Sequence, residues 1–511
     1  MIYERNDTMQ FVVTNAQMKQ AEQICDRESI SYIRMMENAG IACAEEIIKL
    51  APKGCYITIL CGSGNNGGDG FVISGVLAAH GISSAVILVD GEPKTDCARH
   101  HFSRLFGAKI MNWDMHREAC CDQIVRSDVV VDCIFGTGFH GTLPEAAADA
   151  VRFANNCPIR VAVDVPSGVN SDTGEMDEGY FRATHTLMIA AIKKGLLSLP
   201  CNDRIGETKL LDIGIDEFCY GEDYVAAITD ESFRRPFAQR VRSSHKGVYG
   251  KLMNIAGCIN YNGAAAMSTK AALRSGVGLC VLATPRSVVG MLAPAIHETT
   301  YLPLPETEDG FVADGAAKLI LGRMKDVTAV CVGSGMGKSE ATRNIAENVI
   351  RSVSCPVIID ADGLNSIAAN IDILKERKGE IILTPHVKEF SRISGLSVEE
   401  IQADRIKAAR DFAERYGVIV VLKGANTVIA AHSGEIYVNI CGNPGLARGG
   451  SGDVLTGMIG AMAAQGIPPV RAAVCGVYCH ALASDILVEK LPEVSMLPCD
   501  IIDTLPAVFR S

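Results

Sequence analysis

Short runs of aliphatic and β-branched residues recur along this chain, each closed by Gly, Asp or Pro and followed by a helical stretch. Tyr56 to Leu60, Ala85 to Val89, Asp128 to Asp132 and Val161 to Asp164 are four such runs. Their apolar residues are continuous and do not alternate with polar ones, which predicts strands covered on both faces. The fold class that follows is α/β with mostly parallel sheets. The pattern lapses between about residues 216 and 247, where acidic and then basic residues follow no period, and it restarts at Lys251. KLMNIAG, LCVLATP, AVCVG, CPVIID, EIILTP and VIVVLKG are its later strands. A chain of 511 residues is too long for one ordinary core. We therefore expect two different α/β domains, 1–225 and 226–511, joined by a linker in the aperiodic stretch.

Composition narrows the classes of partner. A net charge of −11 argues against a general nucleic-acid surface. No uninterrupted apolar run approaches the roughly 18 residues that span a bilayer, so no membrane partner is expected. The start MIYERNDTMQ lacks the basic-then-apolar pattern of a secretory signal. The 19 cysteines are scattered without a Cys-x-x-Cys pair, which suits reduced core thiols in a cytoplasmic protein. Small-molecule substrates and a homo-oligomeric state are the expected partners.

In the first half, Gly62-Ser63-Gly64-Asn65-Asn66-Gly67 matches the Gly-x-Gly-x-x-Gly fingerprint between a strand and a helix. Alone this is as well explained by a tight strand-to-helix turn. Asn65, Asn66 and Asp69 add side-chain oxygens that a plain turn does not need, and oxygens suit a hard cation or a polyol. Asp132 opens DCIFGTGFHGT and Asp164 opens DVPSG, both at strand ends. Each aspartate alone reads most simply as a cap or turn residue. In a parallel sheet, however, three such loops converge at the carboxyl edge, where ligands bind.

In the second half, Gly449-Gly450-Ser451-Gly452-Asp453 is a glycine turn that ends on a carboxylate and opens an apolar helical pattern. Bare amides there can hold a phosphate while Asp453 takes a proton from a hydroxyl, which is phosphoryl-transfer chemistry. Gly333 to Ser339 resembles a Walker loop, but the first glycine of that motif falls at Val332, so we reject that reading. Cys475, Cys479 and His480 have metal-ligand spacing, yet their alanine and valine neighbours point to a buried helix.

GSGNNGGDG, DCIFGTG, DVPSG and the upstream MMENAG together resemble the epimerase domain of the NAD(P)H-hydrate repair enzymes, over about Met18 to Ile215. The resemblance implies a Rossmann-like three-layer domain. It also implies a potassium ion on Asn66, Asp132 and Ser167. Substrate contacts would come from Asn65, Asn66, Gly67, Gly68 and Asp69, and from the loop Gly136, Thr137, Gly138, Phe139, His140, Gly141 and Thr142. Asp164 is assigned to substrate binding and proton transfer. Lys193 fits a Lys-Pro-Gly-Leu pattern whose proline is replaced by Lys194, and its role stays open.

HKGVYGK, NGAAAMS, GSGMG, DADGLN, LTPHVKEF, LKGANT and GNPGLARGGSGDVLTG are similar, in order, to the ADP- or ATP-dependent NAD(P)H-hydrate dehydratases, which implies a ribokinase-like fold. That family usually has Pro, Leu and Thr where Ser334, Met336 and Ser451 stand. Carried over, Gly263, Ala264, Gly335, His386 and Asp453 line the hydrate site. Lys423, Gly424, Ala425, Asn426, Thr427 and Gly452 hold the adenine nucleotide. Outside its motif His386 would read as a capping or core histidine, and Lys423 as a solvated strand end. Asp360 and Asp362 would cap a helix or help order the nucleotide site.

The resemblance implies a bifunctional enzyme. One domain epimerises the R and S hydrates of NADH and NADPH (NADHX and NADPHX) at C6. The other phosphorylates the C6 hydroxyl of the S form, with ADP or ATP as co-substrate and Mg²⁺, and then eliminates phosphate. The fused arrangement favours ADP. Two alternatives stay open: a ribokinase-like vitamin or sugar kinase fused to a nucleotide-binding domain, and a scaffold that keeps the first fold without activity. Retention of Asn66, Asp132, Asp164 and Ser167 together speaks against the scaffold.

Overall fold

The structure, a computed structural model, describes residues 10–221, 224–228 and 240–510. The chain divides into two compact units, Met1–Val225 and Ala226–Ser511. The first contains strands β1 (Gln10–Val13), β2 (Ile57–Cys61), β3 (Ser84–Leu88), β4 (Ala108–Asn112), β5 (Val129–Cys133), β6 (Ile159–Val163), β7 (His185–Ile189), β8 (Ile192–Lys193) and β9 (Glu207–Leu211). Seven of them form one sheet in the order β4-β3-β2-β5-β6-β7-β9, and all its pairings are parallel.

Burial on both faces follows from the pleat. Ile57, Ile59, Val129, Val131, Val161 and Val163 enter one core with helices Tyr32–Leu50 and Asn65–Ala79. Their neighbours Leu60, Val130 and Ala162 enter a second core with helices Trp113–Val125 and Glu145–Ala154. This is a Rossmann-like three-layer arrangement. Strand order reverses at β2, whose neighbours are β3 and β5, and a crevice at the carboxyl ends of β2 and β5 is the consequence.

The second unit adds β10 (Val225–Ile228), β11 (Lys251–Ile255), β12 (Leu279–Pro285), β13 (Thr300–Leu304), β14 (Ala329–Val332), β15 (Val357–Ile359), β16 (Ile381–Leu383), β17 (Ile419–Leu422), β18 (Val428–Ala431) and β19 (Ile436–Asn439). Nine of them run β13-β12-β11-β14-β15-β16-β17-β18-β19. Pairing is parallel as far as β17. The last two pairings are antiparallel, joined by short turns rather than helices. Here the reversal lies at β11, between β12 and β14. The fold is ribokinase-like α/β.

Two expectations change. Within the aperiodic stretch, Val225–Ile228 is a fully buried strand, while residues 229–239 of the expected linker lie outside the described residues. Four residues are too few for periodicity to show. Helix Pro469–Val488 is long and apolar enough to cross a membrane by length and composition alone, although no unbroken apolar run marked it. Burial explains its apolarity, since Ala472, Val474, Cys475, Cys479 and Ala483 lie in the core of the second unit. Cys475, Cys479 and His480 are thus on a buried helix, and no cluster of three metal-ligating side chains occurs among the described residues.

Candidate active sites

In the first unit the loop after β2 turns directly into helix Asn65–Ala79. A Cβ on Gly67 would lie 1.9 Å from the Gly62 carbonyl oxygen, so only glycine lets the turn close this tightly. Beside it Asp132, at the end of β5, is fully buried. Its Oδ2 accepts from Ser167 N at 2.7 Å, and its Oδ1 accepts from Ser167 Oγ at 2.7 Å and Ile134 N at 3.1 Å. Burial raises its pKa to about 6, against the pull of those hydrogen bonds. Ser167 Oγ in turn accepts from Phe135 N at 2.9 Å. Asn66 Nδ2 donates to the Phe135 carbonyl at 2.9 Å, and among the described residues the buried Asn66 Oδ1 has no hydrogen-bond partner. Asn66, Asp132 and Ser167 therefore gather around one backbone carbonyl, with an orphaned oxygen among them.

A cavity opens next to this cluster. Asn65, Asn66, Asp69, Gly136, Thr137, Gly138, Phe139 and Asp164 line it. Gly67, Gly68, His140, Gly141 and Thr142 do not. Gly68 packs against Met36, where a Cβ would approach Sδ to 2.5 Å, and His140 Nδ1 meets Asn170 Nδ2 at 3.1 Å. Asp164 follows β6 in the left-handed region with φ of 68°, a strained conformation for a non-glycine residue. Its carboxylate forms an ion pair with Lys193. Lys193, whose role the sequence left open, is 1% exposed and also donates to the Ile189 carbonyl at 2.6 Å. Burial pushes the Asp69 carboxyl upward, and the charge of Asp164 adds to that. Glu22 and Tyr32, outside every motif, also line the cavity, as does Ser63 of the glycine fingerprint, to which no role was assigned.

In the second unit, helix Ser451–Ala464 begins at Gly450, whose φ is 101°. A Cβ there would meet Met267 Cε at 2.5 Å, so glycine is required twice over. Asp453 stands in the first turn. Its pKa is raised to about 7, first by burial and then by the charge of Asp360, with Lys423 pulling the other way. Lys423 Nζ donates to Asp360 Oδ1 at 2.9 Å, and Thr384 Oγ1 donates to the same oxygen at 2.8 Å. Lys423 is thus no solvated strand end. Asp360 is 1% exposed and makes no side-chain cap bond. Asp362 Oδ2 accepts from Gly337 N at 2.8 Å and so ties down the Gly333–Gly337 loop.

A Cβ on Gly452 would lie 3.1 Å from Lys423 Nζ, and one on Gly335 would lie 2.7 Å from the Ala264 Cβ. Motifs up to 190 residues apart in sequence, NGAAAMS through GSGD, thus meet at one end of the sheet. Within the loop Lys423 to Thr427, Thr427 Oγ1 bridges Gly424, donating to its carbonyl at 3.0 Å and accepting from its N–H at 3.3 Å; Gly424 and Ala425 are exposed. Gly263 has open space about its Cα. His386 does cap a helix, accepting at Nδ1 from Lys388 N at 3.1 Å and Glu389 N at 3.2 Å. Its Nε2 therefore carries the proton in the neutral ring, 3.4 Å from Glu389 Oε1. Sequence reasoning missed Thr384. His480 Nε2 also went unassigned; it lies 3.2 Å from Ser451 Oγ in the buried core.

Residues 252–507 match the NAD(P)H-hydrate dehydratase family, and residues 33–195 match the family described as YjeF-related protein N-terminus. Over 98% of its length the chain is 35% identical to the bifunctional NAD(P)H-hydrate repair enzyme Nnr of Moorella thermoacetica, covering 97% of that protein. It is 31% identical to the enzyme of the same name from Escherichia coli K12, with 94% of this chain and 90% of that one aligned. Among solved structures, ADP/ATP-dependent NAD(P)H-hydrate dehydratase from Bacillus subtilis, co-crystallised with ATP/Mg²⁺, is 31% identical over 54% of this chain and 95% of its own, with a TM-score of 0.47.

Proposed function

The chain belongs to the bifunctional NAD(P)H-hydrate repair enzymes, and from that premise we infer that its two units divide the repair between them. It is an NAD(P)H-hydrate epimerase and a nucleotide-dependent NAD(P)H-hydrate dehydratase in one polypeptide. Epimerisation belongs to residues 1–225 and dehydration to residues 226–511.

In the epimerase the ring nitrogen of the hydrate expels the C6 hydroxyl as water, and water returns to either face. Asp164, ion-paired with Lys193 at the cavity wall, exchanges the proton. Asn65, Asn66, Asp69 and the loop from Gly136 hold the substrate. A potassium ion fits the adjoining cluster, because among the described residues Asn66 Oδ1 is a buried acceptor without a donor and the buried Asp132 carboxylate forms no ion pair with a side chain. Asn66, Asp132 and Ser167 would hold it. Its charge would keep Asp132 ionised and fix the loops after β2, β5 and β6.

In the dehydratase Asp453 takes the C6 hydroxyl proton and the hydroxyl oxygen attacks the terminal phosphoryl group of the nucleotide. The C6–O bond then breaks with phosphate as leaving group, and a proton lost from the neighbouring ring carbon restores the dihydronicotinamide. The amides of Gly449 to Gly452 at the helix start offset the developing charge, and Lys423 stands beside them. Gly263, Ala264, Gly335 and His386 Nε2 face the hydrate, and Lys423 to Thr427 with Gly452 hold the adenine nucleotide. Mg²⁺ carried by the nucleotide phosphates would need only one or two protein carboxylates and would neutralise charge on the transferred group. ADP is the preferred co-substrate, giving AMP and phosphate.

The observation that carries this reading is Asp453, a carboxylate poised near neutrality at the end of a glycine turn. Purified protein incubated with hydrated NADH and ADP is expected to restore the reduced-nicotinamide absorbance as AMP accumulates. ADP consumption without loss of hydrate would favour a kinase of another metabolite.

A further inference from the structure

Inversion at C6 poses a requirement that one carboxylate does not meet. A single group that protonates the departing hydroxyl and then deprotonates the incoming water works on one face, and it returns the hydroxyl to the face it left. Glu22 lines the same cavity as Asp164 and Lys193, but it lies on helix Asn15–Glu28, outside every motif loop. That helix is fastened to the substrate loop. Asn15 Nδ2 donates to the Thr137 carbonyl at 2.5 Å, Asn15 Oδ1 accepts from Ser171 Oγ at 2.6 Å, and Asn15 N donates to Asp172 Oδ1 at 2.7 Å. Among the described residues no hydrogen bond or ion pair occupies the Glu22 carboxyl, whereas Asp164 is tied to Lys193.

We propose that Glu22 is a second acid–base group of the epimerisation, acting in the cavity together with the Asp164–Lys193 pair. The inference rests on the assignment of epimerisation to this unit. Glu22 gives its proton to the C6 hydroxyl, the C6–O bond breaks with its electron pair on oxygen, and the nitrogen lone pair forms the N=C6 double bond. A water oxygen then bonds to C6 from the other side, the nitrogen regains its pair, and the proton shed by that water goes to Asp164. Atoms and charge balance, and proton exchange with bulk water resets the pair. For the opposite epimer the two roles exchange. The surroundings suit a proton donor: burial raises the Glu22 pKa, Lys193 and Lys19 oppose that, and Asp164 reinforces it. The other titratable groups that face it are Asp69, Tyr32 and Tyr220.

The test uses full-length protein without nucleotide, following interconversion of the R and S hydrates of NADPH by chromatography, with dehydration of the S form measured on the same preparations. Glu22→Gln is expected to lower the epimerisation turnover by roughly 10²-fold or more with KM unchanged. It should also abolish the fall in rate at high pH, and dehydration should persist. Glu22→Asp, which keeps the carboxyl, should recover part of the rate with a displaced alkaline limb. A Gln variant with near-normal turnover, a loss confined to KM, or an unchanged alkaline limb overturns the proposal. If the Gln variant does not fold, an Asp variant with an unmoved alkaline limb overturns it equally. Wild-type protein that fails to interconvert the hydrates would instead remove the assignment of the unit.

Discussion

A buried and a half-buried carboxylate in the second unit, Asp360 and Asp453, differ in their partners. Asp360 accepts from Lys423 and Thr384, and its charge is met. Asp453 faces that charge and pays for burial with a pKa raised to about 7. If Asp453 is the base proposed above, the dehydration rate is expected to rise through about pH 7 and level off above it. Asp453→Asn is expected to lower turnover by roughly 10²- to 10⁴-fold while ADP binding, measured by calorimetry, survives. The stability consequence has a definite sign. The folded pKa lies above the unfolded one near 3.9, so ionisation disfavours the native state and its cost grows as pH rises from about 4 to about 7. The Asn variant is therefore expected to melt above wild type at pH 8 and level with it near pH 4. Lys423→Ala acts the other way. It leaves Asp360 buried without its cation, and denaturant titration is expected to show a loss of about 3–5 kcal/mol.

At the level of elements, the candidate sites of both units lie where the strand order reverses, beside β2 and β5 in one and β11 and β14 in the other. The loops there are held in part by side chains from neighbouring elements. Asp132 at the end of β5 grips Ser167 beyond β6, and Asp362 grips Gly337 beyond β14. Asp132→Ala releases the loop after β6 and removes one of the ligands proposed above for potassium. Epimerisation is expected to fall strongly while dehydration of the S form continues. Potassium is expected to raise the wild-type melting temperature of fragment 1–225, with no such effect in the variant. An equal loss of both activities in a folded Asp132→Ala protein would exclude this site.

For the whole molecule, each unit has its own hydrophobic core. Fragments 1–225 and 226–511, expressed separately, are expected to fold and to retain one activity each. Insolubility of both fragments beside a soluble full chain would refute that independence. What the sequence determined by itself was the α/β class, the strand runs and the glycine loops, because these depend on local apolar continuity and on backbone freedom that one residue type supplies. The hairpin β18–β19 and the strand Val225–Ile228 escaped it, since short strands carry too few residues for periodicity. Only the tertiary structure brought Lys193 to Asp164, Thr384 and Lys423 to Asp360, and Glu22 into the cavity. It also turned Gly67 and Gly68 inward to packing and away from the cavity lining. Those pairings join residues that are distant in sequence, and the orientation of a side chain and the charge left beside it are set by packing between elements, for which no local pattern of residues is a record.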